Sequence, residues 1–494
     1  MNMAGRHKPT ASPQPKTDVG GVDIVIVQQY PMPYFGVLAL DAHLRKAGYR
    51  MDVLIKTFEP DIIATLKSLS PRIVGFSVFS TEHNWLVGMT HKARSVLPSV
   101  PIIVGGVHAM VYPEQILLDS EADLVCWSDG EGVLINVLQE LAGTQPDFTK
   151  VSGLALKTPQ GGILRTSGAP RVAFDDRILE DRDIYLKRYH ILSQDSVGYF
   201  MSSRGCPYSC SFCYNSYLRE AAGATGYLRR KNPDSLVREI ESAVKKCSFI
   251  SLAFVDDIFS FDKKWLQEFL PQYHEKVNLP FWCNIRADVM DEETARLLAE
   301  AGCHSASFGI ETGNEELRWT VLNKKISDEQ MIRCGTLLHK YGIIVRASSM
   351  FCLPDETVDD ALRTIELNIQ SKVDLPASQL FIPYPKTSIA EYMKKKGIIA
   401  ADYSLYDVPF NSYNKSVVNI PNKAVIKNVH YLIYFFVKYP WIFNNFKWLI
   451  YLTWLSPLYY CLFMYSLIER NKKEKRLTWV QIFIYGWRKK SLLK

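Results

Sequence analysis

Short apolar runs alternate with helical segments in two separate stretches of this 494-residue chain. The runs are short enough to be strands, and consecutive parallel strands need a long crossover, which is usually a helix. Strands that alternate with helices therefore indicate parallel sheets. Because 494 residues exceed what one ordinary core holds, the pattern predicts an α/β protein with two successive sheet domains.

The first stretch predicts a doubly wound parallel sheet over residues 22–150, after a disordered leader at 1–21 and before a polar linker at 151–189. Sheets of this kind bind ligands beyond the carboxyl ends of their strands, where the strand order reverses. The expected strands are Asp23–Gln29, Met51–Ile55, Arg72–Phe79, Pro101–Gly106 and Ala122–Trp127. Their carboxyl ends carry Ser77–Thr81, Gly105–His108 and Asp129–Gly132.

The second stretch, over residues 190–399, contains six strand–helix units. Six units are fewer than a closed eight-stranded barrel needs, so they predict a partial (β/α)6 barrel with its chemistry at the carboxyl ends of the strands. The expected strands are Val197–Ser203, Ile250–Asp257, Pro280–Arg286, His304–Glu311, Ile344–Phe351 and Ser378–Tyr384.

Three cysteines, Cys206, Cys210 and Cys213, follow the first expected strand of the second stretch. Thiolates with this spacing can hold three corners of a [4Fe-4S] cube. No fourth cysteine is close in sequence, which leaves one iron open to the amino and carboxylate groups of an amino acid. A zinc site is the alternative, but zinc ligands usually come as two pairs and no second pair is visible.

The pattern Cys-x-x-x-Cys-x-x-Cys, with the aromatic Phe212 before its last cysteine, resembles the hallmark of the radical S-adenosylmethionine (SAM) superfamily. The resemblance implies that the open iron binds the methionine part of SAM and that Phe212 lies near the adenine. It further implies that reductive cleavage of SAM yields a 5′-deoxyadenosyl radical, which the protein must keep away from water.

Other strand ends of the second stretch match the superfamily's cofactor groove. Asp256 and Asp257 correspond to a stretch near the amino group of SAM, where carboxylates can accept hydrogen bonds from an ammonium. Arg286 and Glu311 are assigned by the resemblance to the carboxylate and the ribose of SAM. The alternative for these last two residues is an ion pair that braces the barrel rim.

The first domain resembles the cobalamin-binding domain that precedes this barrel in one large subfamily. The resemblance rests on Gly75-Phe-Ser77, on the Gly105-Gly-Val-His-Ala109 stretch and on Asp129-Gly-Glu131. Adjacent glycines at a strand end let the backbone approach a bulky ligand. The alternative is a domain that has kept the sheet without binding cobalamin. The residues that the resemblance assigns to cobalamin are Ser77, Thr81, Gly105, Gly106, His108, Asp129, Gly130 and Glu131.

One histidine motif of that subfamily is incomplete here. The axial-ligand pattern Asp-x-His-x-x-Gly reads Asp41-Ala-His43 followed by Lys46 in the glycine position. The apolar residues around His43 have helical spacing, so we interpret His43 as a surface residue of a helix and not as a cobalt ligand.

The C-terminal region, residues 400–494, is expected to be an apolar, basic helical tail over its last part, 428–494. Trp448–Ile468 carries no charge, although Pro457 interrupts it, and from Lys438 onward eleven Lys and Arg accompany two Glu. The composition fits a segment at a membrane surface, a transmembrane helix or a soluble cap on the barrel. Since the positive charge is concentrated in this tail, nucleic-acid binding is not expected.

These features predict a radical SAM enzyme that cleaves SAM at a [4Fe-4S] cluster and uses cobalamin to methylate a carbon of a lipid-, isoprenoid- or porphyrin-like substrate. The alternatives are a radical SAM oxidoreductase or cyclase without methyl transfer and, more distantly, a membrane-associated iron–sulfur electron carrier or sensor. A flavodoxin- or ferredoxin-type protein is expected as electron donor. The polar N-terminus and the scattered cysteines predict a cytoplasmic protein, at the inner face of the cell membrane.

Overall fold

The computed structural model describes residues 21–221, 226–409 and 412–474, and it contains two parallel-sheet domains followed by a helical C-terminal region. The α/β class and the order of domains expected from the sequence are confirmed. The expected leader up to residue 20 and the end of the tail from residue 475 lie outside the described residues.

The first domain and the segment after it contain β1 (Ile24–Gln28), α1 (Phe35–Lys46), β2 (Met51–Ile55), α2 (Ile62–Leu69), β3 (Ile73–Ser77), α3 (His83–Val96), β4 (Ile102–Gly105), α4 (Val107–Val111), α5 (Pro113–Asp119), β5 (Leu124–Cys126), α6 (Gly130–Glu140), β6 (Leu154–Lys157), β7 (Ile163–Arg165) and α7 (Asp183–Leu186). The strands form one sheet in the order β2-β1-β3-β4-β5-β6-β7. Its strand order reverses between β1 and β3, which is where doubly wound sheets bind ligands.

The segment 151–189, expected to be a linker, extends this sheet. β6 pairs antiparallel with β5, and β7 pairs antiparallel with β6. β7 is short and its side chains are mostly exposed, so the apolar pattern that would indicate a strand is weak there.

The second domain contains β8 (Val197–Phe200), β9 (Ser203–Arg204), α8 (Tyr214–Ala221), β10 (Arg229–Arg230), α9 (Pro233–Lys246), β11 (Ser251–Phe254), α10 (Lys263–Lys276), β12 (Phe281–Asn284), α11 (Glu292–Glu300), β13 (Cys303–Glu311), α12 (Glu315–Thr320), α13 (Asp328–Lys340), β14 (Ile344–Phe351), α14 (Val358–Gln370), β15 (Leu375–Leu380) and α15 (Ser388–Lys395). Six of its strands form a parallel sheet in the order β15-β14-β13-β12-β11-β8. In the described residues no ladder joins β8 to β15, so the barrel is open along this edge.

Most barrel helices begin at a side-chain cap that the sequence provides. A side-chain oxygen accepts a hydrogen bond from a backbone N–H in the first turn, which satisfies a donor that the helix leaves unpaired. The capping residues are Asn232 for α9, Asp262 for α10, Asp291 for α11, Ser327 for α13 and Thr357 for α14.

The last barrel strand differs from the expected Ser378–Tyr384. β15 covers Leu375–Leu380 and pairs with β14 over that range. Pro383 and Pro385 lack the N–H that a longer strand would donate, and Pro376 is tolerated because β15 is an edge strand.

The C-terminal region contains α16 (Lys423–Lys438), α17 (Pro440–Phe446) and α18 (Ser456–Glu474), with two 3-10 turns between α17 and α18. The uncharged run Trp448–Ile468 is therefore divided, and Pro457 lies in the first turn of α18. Among the described residues, no helix combines the length and apolar character that crossing a bilayer requires.

Candidate active site

The three cysteines lie on a loop between β9 and α8, and this loop is fixed by backbone contacts. The Ser211 N–H donates to the Leu322 carbonyl at 2.9 Å, and the Ser211 hydroxyl donates to the Val321 carbonyl at 2.6 Å. Gly205, before the first cysteine, has φ +88°, and a Cβ there would lie 2.5 Å from the Tyr227 carbonyl oxygen. Only glycine allows the backbone at position 205 to come this close to Tyr227, so the backbone before Cys206 is held in place.

The thiols of the loop are free and lie close enough to influence one another. Burial raises the pKa of Cys206 to about 11, and Asp257 and the other two thiols add to the effect. Burial also raises the pKa of Cys210, against the positive charges of Lys324 and Arg286. These two cations next to the loop suit the negative charge of a thiolate-bound cluster.

Phe212, expected near the adenine of SAM, is half-buried and packs against the barrel core. The cations beside Cys210 have their own partners on the barrel rim. The Arg286 Nε donates to Asp288, and its guanidinium lies 3.5 Å from the Tyr208 ring centroid. The Lys324 Nζ lies 2.7 Å from Glu311 Oε1. The alternative ion pair between Arg286 and Glu311 does not form, because Arg286 pairs with Asp288 and Glu311 pairs with Lys324.

The structure separates the two adjacent carboxylates at the end of β11. Asp256 is fully buried and accepts hydrogen bonds from the backbone N–H and hydroxyl of Ser202 and from the Ser203 hydroxyl. It therefore ties the end of β11 to the end of β8. Asp257 is exposed at the mouth of the barrel, so it is the carboxylate that a ligand can reach.

The inner face of the barrel is partly apolar. Val197, Ala253 and Trp282 form a small cluster with Val255, separate from the core that packs against the helices. Because successive side chains of a strand point to opposite faces, these residues face the barrel interior. Ser348 is exposed although it lies in the middle of β14, so the interior is accessible at this strand.

The strand ends of the first sheet leave an open surface beside the reversal point. Thr81 and Gly106 are exposed, Ser77 is half-buried at the end of β3, and a Cβ added at Gly105 would meet nothing within 4 Å. Gly106 has φ +96°, and a Cβ there would clash with the Val78 backbone at 2.7 Å. This glycine pair thus combines a tight turn with open space toward a ligand.

His108, expected to contact cobalamin, is fully buried in a polar network. Its Nε2 lies 2.9 Å from His83 Nδ1, and its Nδ1 lies 3.2 Å from the Ser80 hydroxyl. The His83 Nε2 in turn lies 2.9 Å from Asp119 Oδ2. Burial, with the nearby His83 and Lys386, lowers the pKa of His108 to about 3, so its ring is neutral. His108 thereby fixes the turn after β4, and its contact with a ligand stays a prediction.

His43 lies within α1, and its Nδ1 is 2.8 Å from the Ala39 carbonyl oxygen. The prediction that this histidine belongs to a helix is confirmed.

The acidic residues expected at the cobalamin site form ion pairs between the domains. The Asp129 carboxylate pairs with Arg229 of β10 and with Arg171, and Glu131 Oε1 lies 2.6 Å from Arg204 of β9. Gly130 lies between them as the first residue of α6. These arginines could not be predicted from the sequence, because their spacing does not show which carboxylates they meet.

The carboxyl ends of both sheets meet at the contact made by these ion pairs, which we call the domain seam. There the hydroxyl oxygens of Tyr112 and Tyr214 are 2.8 Å apart, and the Tyr112 hydroxyl donates to the Pro385 carbonyl. Tyr214 directly follows the last cysteine of the loop, which is the one sequence signal that pointed to it. The Lys386 Nζ, after β15, donates to the Val111 carbonyl at 2.6 Å.

The residues at the seam fit the groups that the resemblance implies. Three free thiols beside two cations suit a [4Fe-4S] cluster, the exposed Asp257 suits an ammonium, and the space at Gly105 suits a bulky ligand. In the described ranges no group of three or more His, Cys, Asp or Glu converges on a single metal ion. The thiolates of a four-iron cube occupy separate corners and do not need to converge on one ion.

Comparison with protein families matches each domain separately. Residues 200–367 match the family model described as the radical SAM superfamily, and residues 21–138 match the one described as the B12 binding domain. Each matched segment lies inside one of the two sheet domains, and the radical SAM match contains the cysteine loop.

Several curated proteins are similar over both domains. An uncharacterized methyltransferase of Pyrococcus horikoshii is 24% identical over 341 residues, covering 67% of this chain and 71% of its own length. The anaerobic magnesium-protoporphyrin IX monomethyl ester cyclase of Rubrivivax gelatinosus is 24% identical and covers 80% and 71%. The hopanoid C-3 methylase of Methylococcus capsulatus is 24% identical and covers 74% and 69%.

Solved structures share the fold at low identity. The radical SAM methyltransferase TsrM of Kitasatospora setae, with cobalamin and a [4Fe-4S] cluster bound, has a TM-score of 0.62 at 19% identity, covering 76% of this chain and 75% of its own. OxsB, a cobalamin-dependent SAM radical enzyme, has a TM-score of 0.68 at 16% identity and covers 86% and 67%. This chain is a radical SAM superfamily enzyme with an N-terminal B12-binding domain, and its cofactors are a [4Fe-4S] cluster, SAM and cobalamin.

Proposed function

We propose that this enzyme transfers a methyl group to a carbon atom of a hydrophobic substrate at the domain seam. The observation that carries the proposal is the meeting of the two sets of strand ends, with Tyr112 of the first domain hydrogen-bonded to Tyr214 beside the cysteine loop. When bound, the cluster and SAM supply radical chemistry and cobalamin supplies a methyl group. Groups held at the two sets of strand ends would face each other across the seam.

The protein's own residues hold the reactants and keep water out. Asp257 would accept hydrogen bonds from the SAM ammonium, and Arg286 and Lys324 hold positive charge beside Cys210. The partly buried contact of Tyr112 with Tyr214 and the ion pair of Glu131 with Arg204 would help to keep solvent out of the seam. Exclusion of water protects a reactive radical from side reactions.

Two observations support a hydrophobic substrate. Val255, which packs on the buried cluster of Val197, Ala253 and Trp282, is partly exposed on the inner face of the barrel and offers apolar contact to a molecule there. The names of the similar proteins give a porphyrin ester and a hopanoid as what they act on. We therefore propose a lipid-, isoprenoid- or porphyrin-like substrate, an electron donor of the flavodoxin or ferredoxin type, and a site of action at the inner membrane surface.

Transfer of labelled methyl groups tests this function. The anaerobically reconstituted enzyme is incubated with reductant, cobalamin, methyl-labelled SAM and the apolar extract of a strain that lacks the protein. We expect 5′-deoxyadenosine together with label in one apolar product, because the proposed reaction moves a methyl group to carbon.

The second candidate reaction is an oxidation or cyclisation without methyl transfer, which the similarity to the ester cyclases favours. It would give 5′-deoxyadenosine and a changed apolar product without label. Failure to form any 5′-deoxyadenosine would contradict both reactions.

Replacing Asp257 by asparagine should weaken SAM binding. The exchange removes the charge but keeps the shape, so we expect the dissociation constant for SAM to rise about tenfold, or about 1.4 kcal/mol. Equilibrium dialysis of the cluster-loaded protein measures it. Glu366→Gln, an exposed carboxylate on the outer helix α14, is the matched control and should bind SAM normally. Equal affinity of the Asp257→Asn variant and the wild type would remove Asp257 from the site.

A further inference from the structure

The C-terminal helices carry an exposed surface of large hydrophobic side chains, which we call the aromatic face. Ten of the 22 large hydrophobic side chains that are exposed in the described residues lie between Tyr439 and Ile468. The most exposed of them, at 53% to 75%, define the face: Trp441, Trp448, Tyr451, Trp454 and Leu458. Concentration of such residues marks an interaction surface, whereas scattered single ones do not.

The aromatic face belongs to a folded layer that is anchored on its inner side. Phe443, Ile450 and Phe463 are buried in the barrel-domain core together with residues of α16. The Asn428 side-chain amide also donates to the Ile450 carbonyl at 2.8 Å. A soluble cap of this kind presents polar residues to water on its outer side. This layer presents tryptophan instead, which is typical of a surface that binds a partner.

The positive charge around the aromatic face favours an anionic lipid surface over a second copy of this chain as its partner. Lys438 and Lys447 are exposed on the same segment, and the chain from Lys438 onward has eleven Lys and Arg against two Glu. A second copy of this chain would bring like charges together, which is unfavourable. Anionic lipid headgroups attract basic residues, and tryptophan and tyrosine prefer the headgroup level of a bilayer.

We propose that the aromatic face binds the surface of an anionic lipid bilayer, with its tryptophans at the headgroup level and Lys438 and Lys447 beside the lipid phosphates. Segments that lie in the interface use an aromatic side and a basic side in this way. The inference deepens and rests on the proposed function, since an enzyme seated on a membrane can receive a lipid-like substrate from it.

Vesicle flotation of the full-length enzyme tests the surface. The triple variant Trp441→Ala/Trp448→Ala/Trp454→Ala should bind phosphatidylglycerol-containing vesicles at least about tenfold more weakly than the wild type. It loses most of the aromatic area that the proposal places in the headgroup layer of the bilayer. Raising the salt from about 0.1 M to about 0.5 M should weaken wild-type binding, since it screens the lysines. Pure phosphatidylcholine vesicles should bind less protein.

Leu118→Ala/Ile191→Ala is the matched control, because it removes exposed apolar side chains distant in sequence from the face, and it should bind like the wild type. Iron content and 5′-deoxyadenosine formation from SAM alone should be unchanged in all variants. These assays need no substrate, so failure of methyl transfer with intact vesicle binding would contradict only the proposed function.

Three results would overturn the proposal. The first is equal vesicle binding by the triple variant and the wild type, or no binding by either. The second is a dimer in light scattering that the triple variant dissociates, which would assign the face to a second copy. The third is vesicle binding that appears only in a chain ending at residue 474, which would mean that the following segment covers the face.

Discussion

Cys213→Ala protein is expected to form 5′-deoxyadenosine from SAM at least about 10³-fold more slowly than the wild type, because a cube that loses one of three protein ligands no longer assembles stably. The same exchange should lower the iron and sulfide content and remove the cluster's electronic absorption. All three quantities can be measured on anaerobically prepared protein. The Cys213 N–H donates to the Cys210 carbonyl at 3.1 Å, which keeps the backbones of these two cysteines close together.

Exchange of a second cysteine outside the loop shows whether the effect of Cys213→Ala comes from loss of a cluster ligand or from loss of any thiol. Cys461 is exposed on α18, outside the loop. Cys461→Ala should keep full iron content and full SAM cleavage. A Cys213→Ala protein with an intact cluster and an undiminished rate would mean that the loop does not hold the cluster.

Asp129→Ala is expected to destabilise the contact between the domains by about 3–5 kcal/mol, because it leaves buried arginines without their counter-charge. The Asp129 side chain is 7% exposed, and those of Arg229 and Arg171 are 12% and 15% exposed. Thermal unfolding and hydrogen exchange at the domain seam measure the effect, the latter because a two-domain chain need not unfold in one step.

The pH dependence of this contact has a defined sign. Burial raises the pKa of Asp129, but hydrogen bonds from Arg229 and from the Val172 N–H, with the charge of Arg229, more than offset it, so the pKa lies below its usual value. The ionic stabilisation is therefore complete above the ordinary aspartate pKa of about 3.9 and is lost as the pH falls below it.

An exposed ion pair is the control for Asp129→Ala. Glu300 pairs with Arg296 one helical turn away on α11, and both side chains are largely in solvent. Glu300→Ala should leave the unfolding midpoint nearly unchanged, since water screens such pairs. If Asp129→Ala behaved like Glu300→Ala, the seam would be held by its apolar and tyrosine contacts alone.

The strands with continuous aliphatic sequences were predictable, because burial on both faces demands such residues. β1 and β3 to β5 begin and end within one or two residues of the expected runs. The expected strand bounds are wrong where a strand is not buried on both faces. β7 is largely exposed, and β15 is an edge strand whose end is set by prolines rather than by hydrophobicity.

The site was predictable only as far as its residues are neighbours in sequence. The cysteine spacing indicated a cluster, but the pairing of Lys324 with Glu311 joins residues that α12 separates in the sequence. Asp256 and Asp257 look equivalent in the sequence. Both follow β11, and only the structure shows that Asp256 is buried and accepts hydrogen bonds from the hydroxyls of Ser202 and Ser203, whereas Asp257 is exposed.

The barrel is not closed by a ladder between β8 and β15 in the described part of the chain, and this has a consequence for substrate choice. A closed ring admits only molecules that fit wholly inside it, whereas a lateral slot lets a long or flat molecule insert one portion and leave the remainder outside. We expect an enzyme built this way to be strict about the few atoms around the reacting carbon and indifferent to the length of the distant end. A homologous series of chain lengths should therefore be turned over at similar rates.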